Sequence, residues 1–161
     1  MAFEYGSSKR KVAQSVLIKH PLMLIISSVL TFCSGFGLAY GEPHIVGLKY
    51  WFTGGMLKSK DDSLVTSFGI LILTCTIVST MTMSSLNERQ PLTSQIFLGS
   101  IIAGIFVPVV TAWTFGGGYL TKLYLLDESG CLSIHFVTSI CAICGCFYME
   151  PRVCRFTSKD Q

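Results

Sequence analysis

The stretch SLVTSFGILILTCTIVSTMTMSSL, residues 63–86, contains no charged side chain. A helix rises about 1.5 Å per residue, so about 20 residues cross a hydrocarbon core roughly 30 Å thick. The stretch is too long and too evenly apolar for a transmembrane β-strand, which alternates over about 10 residues. Backbone polar groups in lipid must be satisfied inside their own segment, so residues 63–86 predict a membrane-spanning helix.

Three further stretches pass the same test: 21–40, 91–115 and 130–149. Every charged residue lies outside these four, which together hold more than half of the 161 residues. Only 13% of the chain is charged and 50% is hydrophobic, against about 25% charged in soluble domains. The mean hydropathy is +0.58. There is too little polar surface to clothe a soluble four-helix bundle. The composition also excludes a soluble enzyme and a disordered segment, and a net charge of +3 gives no basic face for nucleic acid. The expected fold is an all-α integral membrane protein. A basic segment 1–20 precedes a four-helix transmembrane domain over 21–149, and a polar tail occupies 150–161.

The connections sharpen this picture. Only Asn87, Glu88, Arg89 and Gln90 join the second and third stretches, which makes these two antiparallel neighbours. Pro108 falls inside the third and should kink it, because its ring removes a backbone donor and frees a carbonyl. Small residues (Ser27, Gly35, Gly37, Ser79, Gly99, Gly104, Gly145) recur along the spans, which suits close helix packing in lipid. Tyr50, Trp51 and Phe52 read as an interfacial anchor at head-group depth. An even number of spans puts both ends of the chain on one side. That side carries Lys9, Arg10, Lys11, Lys19, Arg89, Arg152, Arg155 and Lys159; the other carries Lys49, Lys58, Lys60 and Lys122. The positive-inside rule then places both ends on the cytoplasmic or matrix side. Residues 1–20 do not read as a cleavable signal, since 21–40 is long enough to span.

Few residues carry chemistry. Among the seven cysteines, Cys141 and Cys144 have a metal or redox spacing. They lie inside a span with no further ligands, so they read as soft packing residues, and no metal is expected. His135 is the one imidazole within a span. An ionisable group there is costly and marks a functional position by default, although a His bonded to a facing hydroxyl or carbonyl accounts for it equally. It sits about one and a half turns into its helix. Asp127 and Ser129 are placed to cap that helix, their oxygens accepting the free N–H groups of the first turn. No nucleophile, base and orienting group are brought together, so an enzyme is not expected.

Several motifs in order resemble the ammonium transporter (Amt/Rh) family. Phe115-Gly116-Gly117-Gly118-Tyr119-Leu120 is similar to the family's Trp-Gly-Gly-Gly-x-Leu. Leu126-Asp127-Glu128-Ser129-Gly130 follows, and His135 stands eight residues after Asp127, as in the family. Leu38-Ala39-Tyr40-Gly41-Glu42, Leu86-Asn87-Glu88-Arg89, Val107-Pro108 with Trp113, and Pro151-Arg152-Val153-Cys154-Arg155-Phe156 resemble further family segments. The resemblance implies that His135 matches the first of two pore histidines and Asp127 the carboxylate at the outer mouth. Phe115 stands where the family has Trp. Ile70 and Thr74 fall near the positions of its gating phenylalanine pair.

The resemblance covers helices two to five of a family built as two inverted repeats, with the pore between the repeats. A chain with one repeat's helices offers one wall only. The expectation is therefore a non-transporting accessory subunit of a larger membrane complex, specifically a respiratory complex of the mitochondrial inner membrane. Its pore-like residues (His135, Asp127, Phe115, Trp113) would then be vestigial. The alternative is an ammonium or ammonia channel completed by self-association or by a partner chain. On either reading the partners are membrane lipids and other subunits covering spans 63–149, with no nucleic acid. Bound lipid is expected and no cofactor.

Overall fold

The computed structural model describes residues 2–8, 10, 12–41, 47, 49–55, 62–87 and 89–149. The tail 150–161, the 151–156 motif, and Glu42, His44, Lys58, Lys60 and Glu88 lie outside these residues. Among the described residues the chain is helical, with no strand. A short helix α1 (Ala2–Ser7) is followed by α2 (Ala13–Tyr40) and α3 (Asp62–Ser85). Helix α4 runs over 92–114, and the short α5 (Tyr119–Lys122) follows it. Helix α6 covers 131–148. The described residues hold four helical segments long and apolar enough to cross a membrane. The first spans 28 residues, starting at Ala13 and not at Pro21. It can start early because Lys19 and His20 are not exposed as charges: Lys19 is fully buried and both side chains meet Glu4 of α1.

Helix α2 packs on α3 and α4, and α6 closes against α3. The core joins all four: Phe36 and Ala39 of α2, Leu71, Cys75 and Val78 of α3, Ile102 and Val107 of α4, and Val137 of α6. Phe36 anchors it, with Phe68 edge-on at 5.6 Å between ring centroids and Tyr40 at 5.3 Å. Tyr50 also turns inward onto Phe36, at 6.1 Å. The aromatic run therefore divides: Trp51 and Phe52 stay exposed while Tyr50 packs inside.

The many Ser and Thr residues of α3 are absorbed by its own backbone. Thr74, Thr76, Thr82 and Ser84 each donate to the carbonyl four residues back. Two hydroxyls also tie helices together. Ser27 and Thr76 lie 2.6 Å apart, and Ser79 reaches the Gly99 carbonyl at 3.2 Å. Such links, with small residues at the crossings, hold helices where lipid supplies no hydrophobic drive.

Three spans contain a widened π turn: Thr31–Gly35 in α2, Ile102–Phe106 in α4 and Cys131–Phe136 in α6. The turn in α4 precedes Pro108. The Val107 N–H reaches back five residues to the Ile102 carbonyl, and Pro108 has no N–H to continue the ladder. Where the sequence predicts a kink at Pro108, the irregularity observed is a wide turn just before it. A Cβ built on Gly35 would lie 3.4 Å from Pro108 Cγ, so the ring packs where α2 offers no side chain.

Candidate functional site

The N-terminal half of α3 and the entry to α6 flank an open groove of about 510 Å³. Helix α3 lines it with Ser67, Ile70, Leu71 and Thr74, whose spacing of three or four puts them on one helix face. Tyr40 closes it from the end of α2, and Thr111 and Phe115 from α4 and its exit. The entry to α6 adds Asp127, Ser129, Gly130, Ser133 and Ile134.

Asp127 sets the geometry of that entry. One carboxylate oxygen accepts the Leu132 N–H and the other accepts the Ser133 N–H, each at 2.9 Å. These are orphan donors of the first turn of α6, and a negative charge at a helix N-terminus also suits the helix dipole. Burial pushes the Asp127 carboxyl up, but the N–H groups of Leu132, Ser133 and Cys131 outweigh it and hold the carboxyl below its ordinary value. Ser129, the other expected cap, has φ +62° and stays exposed. Its place in the cap is taken by Asp127 alone.

The three glycines after Phe115 have separate reasons. A Cβ on Gly116 would collide with the Ala39 carbonyl of α2, and Gly117 has φ +79°, a conformation that favours glycine. Gly118 donates to the Ala112 carbonyl at 3.0 Å. This tight turn ends α4 and leaves Phe115, 50% exposed, against the groove.

The remaining expected residues fall elsewhere. His135 is exposed within the π turn of α6, on the stripe with Cys131 and Ser139. Trp113 faces a separate, wholly apolar hollow of about 340 Å³ beside Phe106 and Phe136. Pro108 is buried. The groove thus unites Asp127 and Phe115 with Ile70 and Thr74, and leaves His135, Trp113 and Pro108 outside. Tyr40, Ser67 and Ser133 belong to it without having been singled out from sequence. The spacing of Ser67, Ile70, Leu71 and Thr74 was the available signal.

The family model described as Ammonium Transporter Family matches residues 1–161, reaching back over α1. A protein of Synechocystis sp., named as a candidate ammonium transporter, is 27% identical over 95% of this chain. Ammonium transporter 3 of Dictyostelium discoideum is 26% identical over 98%. Ammonium transporter Amt1 of Archaeoglobus fulgidus is 26% identical over 88%. The chain spans 36% of the length of each of these relatives. No solved structure matches it significantly. A match along the whole sequence, carried by helices that bring the glycine turn and the Asp127 cap together, has one meaning: the chain belongs to the ammonium transporter family.

Proposed function

We propose that the chain forms one wall of an ammonium-conducting path, closed on its open side by a second helical half. The observation that carries this reading is the groove. It sets the Asp127 carboxylate, the half-exposed Phe115 ring and the hydroxyl-bearing residues Tyr40, Ser67, Thr74 and Ser133 around one space of about 510 Å³. Ammonium only donates hydrogen bonds, so it suits a lining of hydroxyl and carboxylate oxygens. An aromatic face attracts a cation further. The relatives named as ammonium transporters support the same substrate. His135, exposed on α6, would meet the closing half, where neutral imidazole both donates and accepts.

The second reading is the non-transporting accessory subunit, in its specific form a subunit of a mitochondrial respiratory complex. Its support is the departure of three positions, Phe115, Ile70 and Thr74, from the family's aromatic pattern. Ammonium flux into proteoliposomes carrying the protein with its native membrane partners separates the two. The channel reading expects flux above empty vesicles that falls in His135→Ala. Equal background flux from both proteins sinks it and leaves the accessory reading.

A further inference from the structure

Helix α3 carries a second set of lining residues beyond the groove. Ile70 and Thr74 lie at the Asp127 end, while Ile77, Thr80, Met81 and Ser84 border a separate hollow of about 550 Å³. The spacing 70, 74, 77, 81 and 84 alternates four and three, so these residues form one continuous stripe along α3. Ile70, Ile77 and Met81 on it are exposed. The other side of the second hollow is α1, through Phe3, Glu4 and Ser7, together with His20. Helix α1 therefore crosses the far end of the stripe whose near end forms the groove.

Among the described residues, one side chain bonds it to the bundle. Glu4 pairs with Lys19, accepts from Asn87 Nδ2 at 3.1 Å, and lies 2.8 Å from His20 Nε2. Lys19 is fully buried and also reaches Ser84 Oγ at 3.5 Å. A short helix of six residues has little stability of its own. Its attachment thus depends on one carboxylate bridging α2 and the connection that leaves α3. Removing that carboxylate leaves a buried, uncompensated ammonium group, which is strongly unfavourable. We propose that α1 is a releasable clasp, held by Glu4 across the end of the α3 stripe opposite Asp127, and that its release opens that end of the conduit.

The opening rests on the conducting role proposed above; the clasp itself does not. The test acylates lysines with acetic anhydride at fixed pH and follows each site by mass spectrometry. In the wild type Lys19 should react far more slowly than exposed Lys122. In Glu4→Ala its relative rate should rise at least about 10-fold, as breaking a buried pair implies. Asn87→Ala, which leaves the pair intact, should give a smaller rise and covers the case in which Glu4→Ala does not fold. Lys19 reacting like Lys122 in the wild type, or staying equally protected in every folded variant, overturns the clasp. Ammonium flux is then read on the same proteins. Flux that rises severalfold with Lys19 reactivity supports the opening. Unchanged flux in a conducting protein overturns it, whereas a wild type without flux removes the conducting role and leaves the clasp to the labelling.

Discussion

Replacing Asp127 by alanine should unravel the first turn of α6 without unfolding the bundle. Two N–H groups, those of Leu132 and Ser133, lose their acceptors at once. Loss of an N-cap oxygen costs about 0.5–2 kcal/mol, and loss of a negative charge at a helix N-terminus about 0.3–1 kcal/mol. The two overlap, so about 1–2 kcal/mol is expected. At 1.4 kcal/mol per factor of ten, this favours local opening by about 5- to 30-fold. The assay is amide exchange by NMR in detergent micelles, read at Leu132 and Ser133 against amides of α3 as an internal control. Both sites should exchange faster by that factor while α3 is unchanged. Asp127→Asn keeps one acceptor oxygen and should fall between. Unaltered exchange at Leu132 and Ser133 in Asp127→Ala would refute the cap, and with it the claim that this carboxylate shapes the mouth of the groove.

Gly116→Ala should destabilise more than Gly117→Ala: the first drives a methyl into the Ala39 carbonyl, whereas the second meets only its φ of +79°, a strain of about 1–2 kcal/mol. Mixed-micelle unfolding measures both, and the reverse order would contradict the packing of the turn on α2. Ser27→Ala and Thr76→Val in a double-mutant cycle should show coupling of about 0.6 kcal/mol, as for other interhelical hydrogen bonds in membranes. Each hydroxyl also lies within donating distance of a carbonyl of its own helix, Ser27 of Leu24 and Thr76 of Ile72, so either can be the donor across the 2.6 Å contact; a coupling of zero would dissolve that link. Glu4 supplies a pH dependence. Burial pushes its carboxyl up, but hydrogen bonds from Lys19 and His20 outweigh this and hold it below its ordinary value of 4.5. A carboxyl lowered on folding contributes stability that is complete above its ordinary value and fades as pH falls through the lowered one. Deuterium uptake of the peptide 2–8, corrected for intrinsic rates, should therefore rise in acid below that value, and the rise should vanish in Glu4→Ala.

How much of this was legible depends on which force sets each feature. The four spans were readable because lipid imposes a length and a charge rule that needs no partner. The charge rule does not mark where the helix α2 itself begins: Lys19 and His20 look like boundary charges until Glu4, fifteen residues before Lys19, is known to pair with one and bond the other. Such a pairing is tertiary, and no hydropathy pattern records it. The π turns in α2 and α6 were equally hidden, since 31–35 and 131–136 contain no proline, while the one in α4 was announced by Pro108.

The groove divides along the same line. Asp127 was readable as a cap because capping is local, acting on N–H groups five and six residues ahead. That Tyr40 and Phe115 share a groove with it was not readable, because they meet it only through the crossing of α2 with α4. That crossing depends on Gly116, whose missing side chain lets the Ala39 carbonyl approach. A run of three glycines announces a turn, but which backbone it admits is decided by the helix lying across it. The site is therefore built by contacts between helices whose own existence needs no such contact. A substitution at Gly116 should accordingly disperse the groove while leaving all four spans in the membrane.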